Sequence, residues 1–379
     1  MAARPDHGSR RDDPAEHAAD AFAAWAALQR RFGRPPGRRP GYRRSAGRSW
    51  PGADEHVWPL ARAFVAALDL AGIPPARRPP AAPDPDAVIG AHLDALQRYL
   101  DPGQHPVAYR SDPVGARWGG DRYYDDNAWI GLGLVQLQRL RPGRAGLERA
   151  GELFRFACHG WDERMDVPVP GGVFWVEQGR GVGRRNHDRN TVSNAPNAQL
   201  GLHLALLGAA GEREIDSAER MIDWVHRALA TEGGTLFRDK IRGDGSVDVA
   251  LWSYNQGSMA GAELLRHRLG REGALARAQA IARAVLAWPP ARLRSQPPAF
   301  NAILLRNLLA VAAAGPDAAL TAAVREQLRG YAGWLTAQPR DRHGLTRARG
   351  RRPTVLDQSG LVSVLALLAW DPEDYGHLV

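Results

Sequence analysis

Apolar residues recur every three to four positions through most of the chain, and polar segments rich in glycine and proline interrupt the runs. That spacing predicts twelve helices, near residues 14 to 31, 55 to 71, 85 to 100, 124 to 140, 145 to 159, 194 to 208, 213 to 230, 253 to 269, 272 to 288, 300 to 314, 317 to 337 and 356 to 370. The links carry a second pattern. From the third helix on, very short links (141 to 144, 209 to 212, 270 to 271, 315 to 316) alternate with long ones (101 to 123, 160 to 193, 231 to 252, 289 to 299, 338 to 355), and the link from 32 to 54 fits the series. Short links make antiparallel helical hairpins, so every long link leads into a helix pointing the same way. Six helices then start at one end of the molecule, and the expected architecture is a ring of six inner helices surrounded by six outer ones. Short strands are expected in the long links, notably over 172 to 176, where Val173-Phe174-Trp175-Val176 favours extended backbone.

The inner candidates carry small residues at Gly131, Gly133, Gly201, Gly257, Gly261 and Gly360, which suits backbones that approach closely. Apolar residues make up 44% of the 379 positions, enough for a large core. Residues 1 to 12 read as a tail and 13 to 379 as one domain. The formal charge of +9 is an arginine excess, since Lys240 is the only lysine, and it is scattered rather than gathered in the stripe a nucleic-acid partner requires. No apolar run approaches the roughly 18 residues of a membrane span, and the charged opening segment has no apolar signal core. A cytoplasmic location without membrane insertion is therefore expected. The single Cys158 excludes an internal disulfide framework and reads as a structural thiol. Histidines lack close ligand spacing and Gly179 to Gly183 lacks the context of a nucleotide loop, so neither metal nor cofactor is expected.

Polar residues gather where the inner helices begin. Glu55 and His56, Asp125 and Asp126, Ser193 and Asn194 before Pro196, Ser253 to Gln256, Phe300-Asn301, and Asp357 to Ser359 occupy successive starts. Capping explains part of this: Ser253 with Gln256 and Thr354 with Asp357 fit capping boxes, and Pro196 suits a first turn. Capping does not explain the aromatics among them, which include Trp50, Trp58, Tyr109, Trp118, Tyr123, Trp129, Phe174, Trp175, Trp252 and Tyr254. Aromatic faces beside amides and carboxylates suit sugar rings, which offer apolar C–H faces and polar edges.

With these residues in view, the chain resembles glycoside hydrolase family 76, whose characterised members are endo-α-1,6-mannanases built as (α/α)6 toroids. The resemblance rests on Tyr124-Asp125-Asp126-Asn127-Ala128-Trp129, Gly171-Gly172-Val173-Phe174-Trp175, Ser193-Asn194 and Ser253-Tyr254-Asn255-Gln256-Gly257, with looser matches around Trp58 and Asp357. It implies an all-α (α/α)6 toroid and a retaining mechanism with Asp125 as nucleophile and Asp126 as general acid/base. Physical reasoning agrees with the pair without assigning the roles. Adjacent Cα atoms lie about 3.8 Å apart, so splayed side chains can hold carboxyls near the roughly 5 to 5.5 Å of retaining enzymes. Tyr124, Trp118, Trp129, Trp175, Ser193, Asn194, Tyr254, Asn255, Gln256 and Asp239 are the expected substrate-binding or carboxylate-orienting residues, and an α-mannan-like carbohydrate is the expected partner.

The segment from Gly179 to Asn190 is rich in arginine, with Arg180, Arg184, Arg185 and Arg189 around His187, and is expected either as a solvated loop or as a partner for an anionic group on the glycan. Two other readings compete: a glycan-binding toroid without turnover, and another (α/α)6 sugar hydrolase or epimerase.

Overall fold

The computed structural model describes residues 13–35, 39–46, 53–116, 119–143, 146–179 and 186–379. The expected tail over 1 to 12 lies outside them. Thirteen helices follow in chain order: α1 (Pro14–Phe32), α2 (Val57–Ala71), α3 (Pro85–Gln97), α4 (Tyr124–Leu140), α5 (Leu147–His159), α6 (Thr191–Leu206), α7 (Glu212–Leu229), α8 (Ser253–Arg268), α9 (Ala274–Leu286), the short α10 (Pro290–Arg294), α11 (Pro298–Ala313), α12 (Ala318–Thr336) and α13 (Val355–Ala369). All twelve long helices fall on the segments that the apolar spacing predicts.

Helices α2, α4, α6, α8, α11 and α13 each pack against the next, and α13 returns to α2. The ring is closed, with α3, α5, α7, α9 and α12 packed outside the inner helix that precedes each and α1 packed on α13. Burial follows this division. The outer helix α7 buries a stripe at Ala218, Met221, Ile222, Val225 and Leu229, the spacing of one helical face. The inner helix α13 buries every residue from Gln358 to Ala369, because it has neighbours on all sides. Two inner glycines mark where backbone meets backbone: a Cβ on Gly257 would sit 2.6 Å from Leu304 Cα, and one on Gly360 2.4 Å from the Ala299 nitrogen.

The long links gather at one end. Strands β1 (Leu100–Asp101) and β2 (Ala108–Tyr109) form an antiparallel pair, and β3 (Arg189–Asn190), β4 (Lys240–Ile241) and β5 (Val247–Asp248) form a three-stranded sheet in that order. The strand expected over 172 to 176 is instead a set of single bridges, Trp161 with Val173, Phe174 with Arg189 and Tyr123 with Val176. Each bridge has a different partner segment, so no continuous ladder forms. Among the described residues, no helix is long and apolar enough to cross a membrane.

Candidate active site

The first turns of the inner helices hold two layers of polar side chains. The outer layer is a repeated amide bracket. Asn127 accepts a hydrogen bond from the Tyr109 N–H at 2.7 Å and donates to the Tyr109 carbonyl at 3.0 Å. Gln256 does the same to Phe237, with both bonds at 2.8 Å, and Gln358 does it to Thr346 at 3.2 and 2.8 Å. Asn194 accepts from the Val173 N–H at 2.9 Å, and Asn301 donates to the Leu293 carbonyl at 2.8 Å. In α2 the preceding Glu55 substitutes, accepting from the Ser45 N–H at 2.8 Å. Each side chain thus ties the backbone of the preceding long link to the helix that follows it.

Several sequence expectations change here. Asn194 and Gln256 are buried in their brackets and do not line the cleft. Ser193 is also fully buried, its Oγ without a hydrogen-bond partner among the described residues. Ser253 with Gln256 is no capping box, since the helix starts at Ser253 itself and Gln256 reaches Phe237. Helix α6 starts at Thr191, which leaves Pro196 inside the helix rather than in its first turn. Tyr124 turns into the core, 2% exposed and stacked on Phe156 at 4.4 Å, while its neighbour Tyr123 faces the cleft. Of the expected box of Thr354 and Asp357 one half forms: the Asp357 N–H donates to Thr354 Oγ1 at 3.1 Å, while Asp357 Oδ2 accepts from the Thr354 hydroxyl at 2.9 Å rather than from its backbone N–H.

The inner layer surrounds a cleft of about 720 Å³ built from the starts of all six inner helices. Asp125, Asp126 and Asp239 line it with Trp58, Tyr123, Trp129, Trp175, Tyr254 and Phe300. The helix start favours the ionised form of one carboxylate, since the backbone N–H groups of residues 125 and 126 and the Trp175 side chain lower the pKa of Asp125. Burial outweighs these effects and, with the nearby Asp239 charge, pushes Asp125 up to about 7. Asp126 is held well above the ordinary carboxylate range by burial and then by the charge of Asp125.

Asp239 enters through strand pairing. Lys240 of β4 lies opposite Asn190 of β3, which brings Asp239 to the edge of the cleft beside the start of α6. Asn255, fully buried, donates to Asp239 Oδ1 at 3.2 Å and so orients it without lining the cleft itself. Burial first raises the Asp239 carboxyl, and it raises the Tyr254 hydroxyl, whose ionisation Asp239 and Asp125 oppose further. Lys240 is engaged by Asp188 at 2.8 Å.

Asn190, the residue before α6, is a cleft residue that the sequence reading missed. Its Oδ1 has no hydrogen-bond partner among the described residues, like Asp125 Oδ1 and Trp58 Nε1. The signal was present in the strand-to-helix junction, but the later helix start expected for α6 hid it. Trp118, Arg180, Arg184 and Arg185 lie outside the described residues. Arg189 is described and is structural: 1% exposed, it donates to the carbonyls of Val169 at 2.6 Å and Gly171 at 3.0 Å and faces Asp162 at 3.3 Å. Among the described residues, no group of three or more His, Cys, Asp or Glu could hold a metal ion.

The fold has solved relatives. The family 76 mannosidase Bt3792 from Bacteroides thetaiotaomicron superposes with a TM-score of 0.76 at 22% identity, covering 93% of this chain and 98% of that one. An α-1,6-mannanase of Salegentibacter sp. HEL1_6 superposes with a TM-score of 0.72 at 18% identity, covering 94% and 99%. That structure is of a variant described as inactive, with two consecutive aspartates replaced by asparagine, in complex with α-1,6-mannotriose. Dfg5 from Chaetomium thermophilum, in complex with glucosamine, gives a TM-score of 0.70 at 14% identity over 93% and 90%. No curated protein sequence matches the chain. Residues 102–320 match glycosyl hydrolase family 76. That span carries the aspartate pair, Asp239 and four of the six inner helix starts, and by this match the chain belongs to glycosyl hydrolase family 76.

Proposed function

We propose that the protein is a retaining glycoside hydrolase that cleaves α-1,6-linked mannose chains, with Asp125 as nucleophile and Asp126 as general acid/base. The observation that carries this reading is the asymmetry of two adjacent carboxylates in one cleft. Burial raises both, but for Asp125 the nearby backbone N–H groups and the Trp175 side chain favour the ionised form, whereas Asp126 meets burial and the Asp125 charge, which favour its protonated form. A nucleophile must be ionised while its partner keeps a proton to donate, and these environments separate the two in that order. The consecutive aspartates replaced in the inactive mannanase variant support the pairing, and the mannotriose held by that relative supports the substrate.

In the first step Asp125 attacks the anomeric carbon while Asp126 protonates the departing glycosidic oxygen; in the second, Asp126 takes a proton from water, which releases the sugar from Asp125. The aromatic walls formed by Trp58, Tyr123, Trp129 and Trp175 suit apolar sugar faces. Asn190 Oδ1 is positioned to accept from a sugar hydroxyl and Trp58 Nε1 to donate to one. An anionic substituent on the glycan would meet Arg349 and Arg351 at the cleft wall, and KM for such a glycan then rises with salt. Hydrolysis of linkage-defined α-mannosides by wild type, Asp125→Asn and Asp126→Asn tests the reading. Cleavage of the α-1,6 linkage by wild type alone is expected. Binding without turnover by the wild type would favour a non-catalytic glycan-binding toroid, and activity in both variants would remove the aspartate pair from the mechanism.

A further inference from the structure

The arginine excess is not spread evenly over the molecule. In many places an acid answers an arginine, as Asp54 answers Arg98, Glu177 answers Arg122 and Glu219 answers Arg266. The link before α13 is different. Between residues 340 and 352 it carries Arg340, Arg342, Arg347, Arg349, Arg351 and Arg352 against one acid, Asp341. None of these arginines forms an ion pair among the described residues. Asp341 accepts instead from the N–H groups of His343 and Leu345, at 2.8 and 3.0 Å.

Two of the six line the cleft. Arg349 and Arg351 stand there with Thr354 and Asp357 at the start of α13. Arg349 is held in a left-handed backbone, at φ 57° and ψ 30°, a conformation that glycine adopts freely and a residue with a Cβ does not. The turn around it is closed by the Gly350 N–H on the Arg347 carbonyl at 2.9 Å and the Arg351 N–H on the Ala348 carbonyl at 3.2 Å. Arg349 Nη1 donates to the Ser295 carbonyl, while its Nε is buried with no acceptor among the described residues. The Arg351 side chain is exposed and has no hydrogen bond among them. Burial raises the Asp357 carboxyl and the two cations lower it, yet Asp357 pairs with neither. Glu55, another carboxylate of the cleft, is spent on the N–H groups of Ser45 and His56. One carboxyl thus stands beside two guanidinium groups, and it cannot answer both.

The ring sets where a bound anion falls. Helix α13 is separated from α4, which carries the aspartate pair, by α2. Packed helices lie about 8–10 Å apart, so starts two places apart in a ring of six are roughly 14–17 Å apart. That exceeds one sugar ring, so an anion held by Arg349 and Arg351 belongs on the chain away from the mannose being cleaved. Phosphate suits two unanswered guanidinium groups, since it carries up to two negative charges and pairs with guanidinium through two oxygens.

We propose that Arg349 and Arg351 form an anion subsite of the cleft, and that the substrate is a mannose chain bearing a phosphate at least one sugar away from the cleaved bond. This rests on the mannan reading of the cleft and narrows it to an anionic class.

The test uses the full chain with Asp126→Asn, so that binding is read without turnover. Calorimetry compares α-1,6-mannotetraose with the same chain phosphorylated at its reducing or at its non-reducing end. One of the two phosphorylated chains is expected to bind about tenfold tighter than the neutral chain at about 50 mM salt, with the ratio falling as salt rises. The octyl phosphodiester of the favoured chain separates two sources: a retained ratio makes the phosphate a lipid-linked one, and a lost ratio makes it a free monoester. Arg349→Gly, which suits the left-handed backbone, together with Arg351→Gln is expected to bring the ratio to about one. Arg340→Gln with Arg342→Gln, outside the cleft, is expected to keep it. Should the first pair fail to fold, Arg351→Gln alone, at an exposed side chain, is expected to lower the ratio. Equal binding of neutral and phosphorylated chains, or a ratio kept without Arg349 and Arg351, overturns the subsite alone. Binding of none of the chains removes the mannan reading and the subsite with it.

Discussion

Asp126 and Asn127 are consecutive residues in the first turn of α4, yet they belong to two regions with opposite physical character. Asn127 lies in the bracket layer, where its amide meets the N–H and C=O of Tyr109 and has a third bond to the Tyr123 carbonyl at 2.7 Å. Asp126 lies in the cleft, where burial and a like charge oppose its ionisation. The bracket layer is satisfied except at Asn301 Oδ1, which has no partner among the described residues, and it stabilises the fold. The cleft is left electrostatically unfavourable, with Asp125 Oδ1 and Asn190 Oδ1 lacking partners among the described residues. The difference teaches that polar residues at a helix start cannot be assigned by type or position alone: the side of the turn they emerge from decides whether they hold the protein together or meet its substrate.

The largest effect that separates the regions is on turnover. Asp125→Asn and Asp126→Asn are each expected to lower kcat by about 10³-fold or more while leaving the helix start intact, as loss of an essential acid, base or nucleophile does. Steady-state hydrolysis of an α-1,6-mannoside, with circular dichroism as a control for folding, checks this. A bracket variant is expected to behave the other way round. Gln256→Ala strips Phe237 of both hydrogen bonds, and leaving two buried backbone groups unpaired costs about 2–5 kcal/mol, read as a lower denaturant midpoint. If the loss is below 1 kcal/mol, about the worth of one ordinary hydrogen bond, the bracket is not a stabilising device.

A smaller effect tests the strain in the cleft. The folded-state pKa of Asp125, about 7, lies above its ordinary value of 3.8, so protonation favours folding below about pH 4 and that contribution is lost as pH rises towards 7. Asp125→Asn is therefore expected to gain about 1–3 kcal/mol of stability over wild type at pH 7.5, with the gain shrinking to nothing near pH 4. A variant less stable than wild type at pH 7.5 would mean that the carboxylate is not under strain. The smallest expected change comes from Asp239→Asn. Asp239's charge raises Asp125, so its removal is expected to move the acid limb of kcat/KM to lower pH. An unmoved limb would uncouple Asp239 from the pair.

Much of this was legible in the sequence, and the reason is geometric. Link lengths dictate helix direction whatever the side chains do, so the ring followed from the alternation of links such as 141 to 144 with links such as 160 to 193. The aspartate pair taken alone reads as a helix cap; its catalytic reading came from the aromatics and polar helix starts that the link lengths bring to the same end, and from the family resemblance. Amides were harder to read. Asn194 and Gln256 have the chemistry of sugar-binding residues, and only the fold shows that Val173 and Phe237 already occupy them. Tyr123 is the extended residue before α4 and walls the cleft, whereas Tyr124 is the first helical residue and turns into the core, and a helix boundary uncertain by a residue cannot resolve that. Arg189 read as a solvated or anion-binding arginine because its partners, three backbone carbonyls and Asp162, come from a link that no local pattern places beside it.

The central claim is that the neighbours Asp125 and Asp126 act as nucleophile and acid/base on one α-linkage. The most direct measurement is the anomeric configuration of the first product, followed by proton NMR during rapid hydrolysis of an α-1,6-mannooligosaccharide. The α-anomer is expected to appear first and mutarotate later, because a covalent intermediate on Asp125 inverts the centre twice. First appearance of the β-anomer would show a single displacement by water and contradict the account.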